Sequence, residues 1–164
     1  MSRPLRVTAV CSGNICRSPI AEYVLRDAVE RAGLSHAIVV DSAGVGAWHV
    51  GEGADSRSVR VLAQHDYDGS GHRVQQITSA WFDGDDAPDL LLAMDSTHYA
   101  ALRRMAPDAD VRMIRSFDPR LAARPDADLD VPDPYYGRHD GFEQVLQMIE
   151  RSVPGVMAYL RRLL

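Results

Sequence analysis

Leu5-Arg6-Val7-Thr8-Ala9-Val10-Cys11-Ser12-Gly13-Asn14-Ile15-Cys16-Arg17-Ser18-Pro19-Ile20 passes from an apolar segment through a tight turn into a helical one, and that order decides the fold. Leu5 to Val10 has the length and composition of a buried strand. Pro19 to Ala32 carries Ile20, Val24, Leu25, Ala28 and Val29 on one stripe of a helix. Ser18-Pro19 reads as cap and first residue of that helix, and Gly33 as its stop. Gly13 and Asn14 allow unusual backbone angles in the turn between them.

The same alternation continues outward. Ile38-Val39-Val40 predicts a second strand running into Asp41-Ser42-Ala43-Gly44, and a glycine-marked loop carries Trp48. Asp55 is placed to cap a helix reaching about His65, and Asp68-Gly69 signals a turn. Residues 72–82 are ambiguous, with a short helix expected near Ser79–Phe82. Asp89 to Met94 is the clearest buried strand. Ser96 is expected to cap a helix ending before Pro107, and Val111 to Ile114 forms the last strand. Residues 117–134, rich in Pro and Asp, predict a long loop, of a length that is usually functional or mobile. Asp140 is expected to cap a final helix with Phe142, Val145, Leu146 and Ile149 inward. Pro154-Gly155 should kink or interrupt it before Val156, Met157 and Leu160 resume the stripe. Strands alternating with helices predict a parallel sheet with right-handed crossovers and helices on both faces. Ligands in such folds sit beyond the carboxyl ends of the strands, where the cysteine turn lies.

At 164 residues the chain is read as one domain, 1–164, large enough for one good core. Its formal charge of −5, with acids and bases interspersed, argues against nucleic acid as partner. No apolar run approaches membrane-spanning length, and the N-terminus has no hydrophobic signal region. Both cysteines lie in one turn, which is not a secreted disulfide framework; a reducing cytoplasm is expected. The six histidines show no zinc-like spacing with the cysteines, so neither metal nor cofactor is expected.

A strand that turns sharply into a helix aims backbone N–H groups at one point, and the helix N-terminus adds partial positive charge. A thiol there is expected to ionise readily, because helix N-termini and nearby cations favour thiolate. Arg17 supplies a planar fork matching two phosphate oxygens. The turn therefore reads as a phosphate cradle: Ser12, Gly13, Asn14, Ile15, Cys16 and Ser18 surround the ligand, and Cys11 is the nucleophile on its floor. Alone, the Cys-x5-Arg spacing is equally open to a buried structural cysteine and a surface arginine. Asp133, on a loop and followed by Pro134, is a candidate acid, although taken alone Asp-Pro is simply a turn. Cys16 has two readings: a small core residue, or a partner for Cys11 in a disulfide formed under peroxide.

The stretch Cys11 to Glu22 resembles the signature of the low-molecular-weight protein tyrosine phosphatases, and Asp133-Pro134-Tyr135-Tyr136 resembles that family's general-acid loop. Asp41-Ser42-Ala43-Gly44 and His72-Arg73 resemble further family segments. The resemblance implies a four-stranded doubly wound, Rossmann-like α/β fold and hydrolysis of phosphotyrosine or aryl phosphates through a cysteinyl-phosphate. Arg17 would bind phosphate and Asp133 would serve as acid and then base. Tyrosine-phosphorylated proteins would be the partners, phosphate or vanadate the inhibitors. The resemblance also implies that Ser18, Ser42 and His72 hydrogen-bond around Asn14, that Ser18 helps ionise Cys11, and that Trp48, Tyr135 and Tyr136 form an aromatic rim. It favours the redox reading of Cys16. Glu22 and Asp41 are both acids able to partner His72.

Three rivals differ in residues. Thioredoxin-coupled arsenate reductases need cysteines beyond Cys16, which this chain lacks. Protein-arginine phosphatases typically carry Thr where Ile15 stands and lack the paired tyrosines. A non-catalytic phosphotyrosine binder has no need of Cys11 and Asp133 together.

Overall fold

The computed structural model describes residues 3–137 and 140–164. Four strands form one fully parallel sheet: β1 (Leu5–Cys11), β2 (Ile38–Gly44), β3 (Leu90–Ala93) and β4 (Val111–Met113), in the spatial order β2-β1-β3-β4. The helices are α1 (Arg17–Arg31), α2 (Ser56–Gln64), α3 (Ser96–Met105) and α4 (Asp140–Leu163). The short helix expected near Ser79–Phe82 is a 3-10 turn over that span.

β3 shows why its sequence has no polar–apolar alternation. Leu90 and Leu92 join Val7 and Ala9 in the core beneath α1 and α4, while Leu91 and Ala93 join Val10 and Leu102 in the core beneath α3. Both faces are buried, so every position is apolar. Each fully buried Leu contributes about 1.5–3 kcal/mol relative to exposure. α2 packs on α1 and α4, so one face of the sheet carries three helices and the other carries α3 with the 3-10 turn at Ser79–Phe82.

Gly33, at φ +71°, ends α1 in a Schellman motif: its N–H donates to Glu30 O (3.0 Å) and the N–H of Leu34 to Val29 O (3.0 Å). Several expectations are corrected. α1 opens at Arg17 with Cys16 as N-cap, so Ser18-Pro19 falls inside the first turn, where a missing N–H costs no helical bond. Gly13 is not among the described glycines with positive φ; Asn14, at φ 59°, carries the left-handed angle. The cap of α3 is Asp95, not Ser96. Asp140 is the first helical residue of α4; the residue before it lies outside the described ones. α4 runs through Pro154-Gly155 without a break, and a Cβ on Gly155 would lie 2.2 Å from Phe117 O. The pair thus lets a connecting segment pack against a continuous helix. The long loop is partly built, with 3-10 turns at Ile114–Phe117, Pro119–Leu121 and Asp126–Leu129.

Candidate active site

The chain passes from β1 outward to β2, then crosses back to β3 and β4. The carboxyl ends of β1 and β3 therefore flank the point where the strand order reverses, the natural ligand crevice of such a sheet. The turn 12–16 leaves β1 there, and Asp95 follows β3 beside it. A Cβ on Gly44 would meet Ser12 O at 2.8 Å, so the glycine at the end of β2 admits the backbone of the turn.

The turn is held from behind through Asn14, which is fully buried in the left-handed conformation. Its Nδ2 donates to Ser18 Oγ (2.8 Å) and Ser42 Oγ (2.9 Å), and its Oδ1 accepts the N–H of Gln75 (3.1 Å). The Asn14 carbonyl accepts from His72 Nε2 (2.9 Å), which places the other ring nitrogen 3.4 Å from Glu22 Oε1. Ser42 Oγ donates to the same Glu22 oxygen (2.5 Å). Glu22 is thus the acid that faces His72; Asp41 is engaged by Arg6 and Thr8 instead. On the far side, Asp55 N and Ser58 Oγ donate to Ile15 O, which ties the turn to α2.

This shell leaves donors pointing inward. Asn14 N–H donates to Cys11 Sγ (3.3 Å), and Ser18 Oγ lies 3.0 Å from the same sulfur. Ser18 Oγ accepts from Asn14 and has two acceptors in reach of its own proton, the Cys11 sulfur and the Ala43 carbonyl at 3.5 Å. Among the described residues, the N–H groups of Gly13, Ile15 and Cys16 find no carbonyl acceptor. Burial first, then the Asp55 carboxylate, push Cys16 up to about 12, so Cys16 remains a thiol.

Arg17 is buried. Its Nη1 donates to Asp95 Oδ2 (2.8 Å) and Val131 O (2.9 Å), and its Nη2 lies 3.7 Å from Asp133 Oδ2. One edge of the guanidinium is anchored while the rest faces a cleft of about 450 Å³. Cys11, Ser12, Gly13, Ile15, Cys16 and Arg17 line the floor; Trp48, His49, Asp133, Tyr135 and Tyr136 form the walls. Asn14 and Ser18 lie behind the turn and do not line the cleft. Ser42 and His72 lie one layer deeper, as supports. Trp48 is 72% and Tyr136 91% exposed, whereas Tyr135 is 39% exposed, so the rim is open and apolar above a polar floor. The Asp133 carboxylate is half-exposed and accepts the N–H of Tyr135 (3.1 Å), an Asx-type turn that directs the loop.

Sequence reasoning missed four contributors. Asp95 anchors Arg17. His98 touches Ser12 through Nε2 (2.9 Å). His49 lies against Gly13, where a Cβ would sit 3.3 Å from its ring. Arg57 stacks beneath the Tyr135 ring at 5.4 Å and on Phe142 at 4.6 Å, joining the acid loop to α4. Asp95 had a usable signal, since it stands at the carboxyl end of the strand next to β1. The other three had none.

A sulfur on the floor, a fixed guanidinium, N–H groups without carbonyl acceptors and a carboxylate at the mouth can together hold a tetrahedral dianion and attack it in line. Residues 6–163 match the family described as low molecular weight phosphotyrosine protein phosphatase. The chain is 52% identical over 160 residues to a low molecular weight protein-tyrosine-phosphatase of Streptomyces coelicolor, covering 95% of this chain and 93% of that one. It is 47% identical to low molecular weight protein-tyrosine phosphatase A of Mycobacterium tuberculosis, covering 95% and 91%. A crystal structure of a protein tyrosine phosphatase from Entamoeba histolytica superposes with a TM-score of 0.85 at 29% identity, covering 96% of this chain and 97% of that one.

Proposed function

The chain belongs to the low molecular weight phosphotyrosine protein phosphatases, a family of cysteine-based protein-tyrosine phosphatases, and from that premise we propose the roles of its residues. The observation that carries them is the placement of Asn14 N–H and Ser18 Oγ against Cys11 Sγ beside the anchored Arg17. Cys11 thiolate attacks phosphorus and the tyrosine oxygen leaves. Arg17 and the N–H groups of the turn hold the equatorial oxygens, where charge sits in the transition state. Asp133 gives a proton to the leaving oxygen, then takes one from the water that hydrolyses the phosphocysteine. Fixed positive charge from the turn does the work that a metal does elsewhere.

Trp48 and Tyr135 receive the flat ring of the substrate between them, and Tyr136 extends the rim. Depth then discriminates: phosphoserine is too short to reach the floor while its backbone stays outside. Turnover of a phosphotyrosine peptide against the matching phosphoarginine and phosphoserine peptides tests this. The tyrosine peptide is expected to lead, with vanadate and phosphate as competitive inhibitors; equal or better turnover of phosphoarginine would replace the substrate class.

Cys16 serves as a resolving thiol. Peroxide oxidises Cys11 to a sulfenic acid; Cys16 sulfur attacks the Cys11 sulfur, its proton leaves with the hydroxide as water, and a disulfide remains. Both cysteines line the same cleft, and both are free thiols in the structure. Such a pair suits a reducing, cytoplasmic setting, where thiols recover the enzyme; no helix among the described residues is long and apolar enough to cross a membrane. After peroxide and then thiol treatment, wild type is expected to regain most activity and Cys16→Ser much less. Equal recovery would leave Cys16 as a core residue only.

A further inference from the structure

His98 lies in the first turn of α3, 1% exposed, and no step above uses it. Its Nδ1 is 3.2 Å from the backbone N–H of Asp95. That N–H can only donate, so Nδ1 accepts. Burial drives the imidazole down to about 4, so the ring is neutral near pH 7 and its single proton sits on Nε2. Nε2–H therefore donates to Ser12 Oγ, 2.9 Å away. Among the described residues, Ser12 Oγ has no other hydrogen-bond partner, so its own proton is uncommitted, and Ser12 lines the cleft beside Arg17. The carboxylate that caps His98 is the same Asp95 that anchors Arg17.

We propose that His98 is a positioning residue that fixes the Ser12 hydroxyl as a hydrogen-bond donor to the phosphoryl group. The inference rests on reading the cleft as a phosphate site. It gives the cradle a side-chain donor besides Arg17, and it makes α3 the element that aligns both. Tautomer logic sets the direction: with Nε2–H below it, Ser12 has to spend its proton on the ligand.

The rival explanation is that His98 only completes the α3 capping box. His98→Asn keeps an acceptor near the Nδ1 position but falls short of Ser12. His98→Gln keeps a donor near the Nε2 position. Ser12→Ala removes the receiving hydroxyl and leaves the backbone N–H in place. The measurements are kcat on an aryl phosphate, inhibition by inorganic phosphate, and the melting midpoint.

Ser12→Ala and His98→Asn are each expected to weaken phosphate binding about tenfold, the scale of one hydrogen bond to a charged group. The double variant is expected to be no worse than Ser12→Ala, and His98→Gln to retain most of the affinity. Unchanged phosphate affinity in Ser12→Ala overturns the inference whatever the His98 variants do. So do additive losses in the double variant, or losses in His98→Gln as large as in His98→Asn. If wild type turns over the aryl phosphate and His98→Asn matches it, only the role of His98 falls; an inactive wild type removes the reading of the cleft as well.

Discussion

Cys11→Ser is expected to reduce turnover of an aryl phosphate on the order of a million-fold, the scale seen when the nucleophile of a covalent mechanism is removed, while phosphate still binds. The substitution exchanges one atom in a buried position and leaves Asn14 N–H and Ser18 Oγ where they were. A serine hydroxyl in the same place is a far weaker nucleophile than the thiolate of the proposed mechanism. Binding depends on Arg17, which Asp95 and Val131 O hold independently of residue 11, so competition by inorganic phosphate should persist. Acid quench during turnover should trap phosphate on wild type and none on the variant. Retained turnover in Cys11→Ser, or wild type that never carries phosphate, would remove the nucleophile assignment.

How much of this was legible beforehand follows from which interactions are local. The strand–turn–helix shape of residues 11–17 was readable because its geometry is set by neighbours in sequence: β1 supplies the direction, α1 the N–H groups, and Asn14 the left-handed angle. Gly33 was readable for the same reason, and Asp55 capped as its position promised. The cap of α3 was misplaced by one residue, because Asp95 and Ser96 are both good caps. Only the tertiary demand of Arg17 distinguishes the carboxylate from the hydroxyl. Pro154-Gly155 misled because their helix-breaking tendency is a local preference, overridden here by the contact between Gly155 and the Phe117 segment. His49, Arg57 and His98 were invisible for a different reason. Each acts across 36 or more residues of chain, on Gly13, Tyr135 and Ser12 respectively, and no spacing rule reaches that far. The 3-10 turns at Pro119–Leu121 and Asp126–Leu129 escaped because Pro and Asp signal loop and short helix alike.

Asp133→Ala is expected to separate substrates by leaving group. The tyrosine oxygen departs from a phenol with a pKa of about 10, so without a proton it leaves as a strong base. In kcat/KM, which reports formation of the phosphocysteine, the loss for a phosphotyrosine peptide should be roughly 10²–10⁴-fold, while an aryl phosphate whose phenol is already acidic should lose less than about tenfold. The geometry makes the variant informative. Asp133 is half-exposed and, among the described residues, no side chain donates a hydrogen bond to it; Arg17 Nη2 stands off at 3.7 Å, so its removal should barely alter stability. Arg17 remains anchored to Asp95 at 2.8 Å, and phosphate affinity should hold. Tyr135 is also held apart from Asp133 by the Arg57 stack, so the rim should outlast the carboxylate. Formation of phosphocysteine is then slow for tyrosine because the leaving oxygen lacks its proton. Its hydrolysis is slow for every substrate, because water lacks its base. With the activated ester, a burst of phenol followed by slower steady turnover is expected, the mark of an intermediate that accumulates. A loss of equal size for both leaving groups and no burst would assign Asp133 to positioning, and the proton donor would have to be sought elsewhere along the cleft.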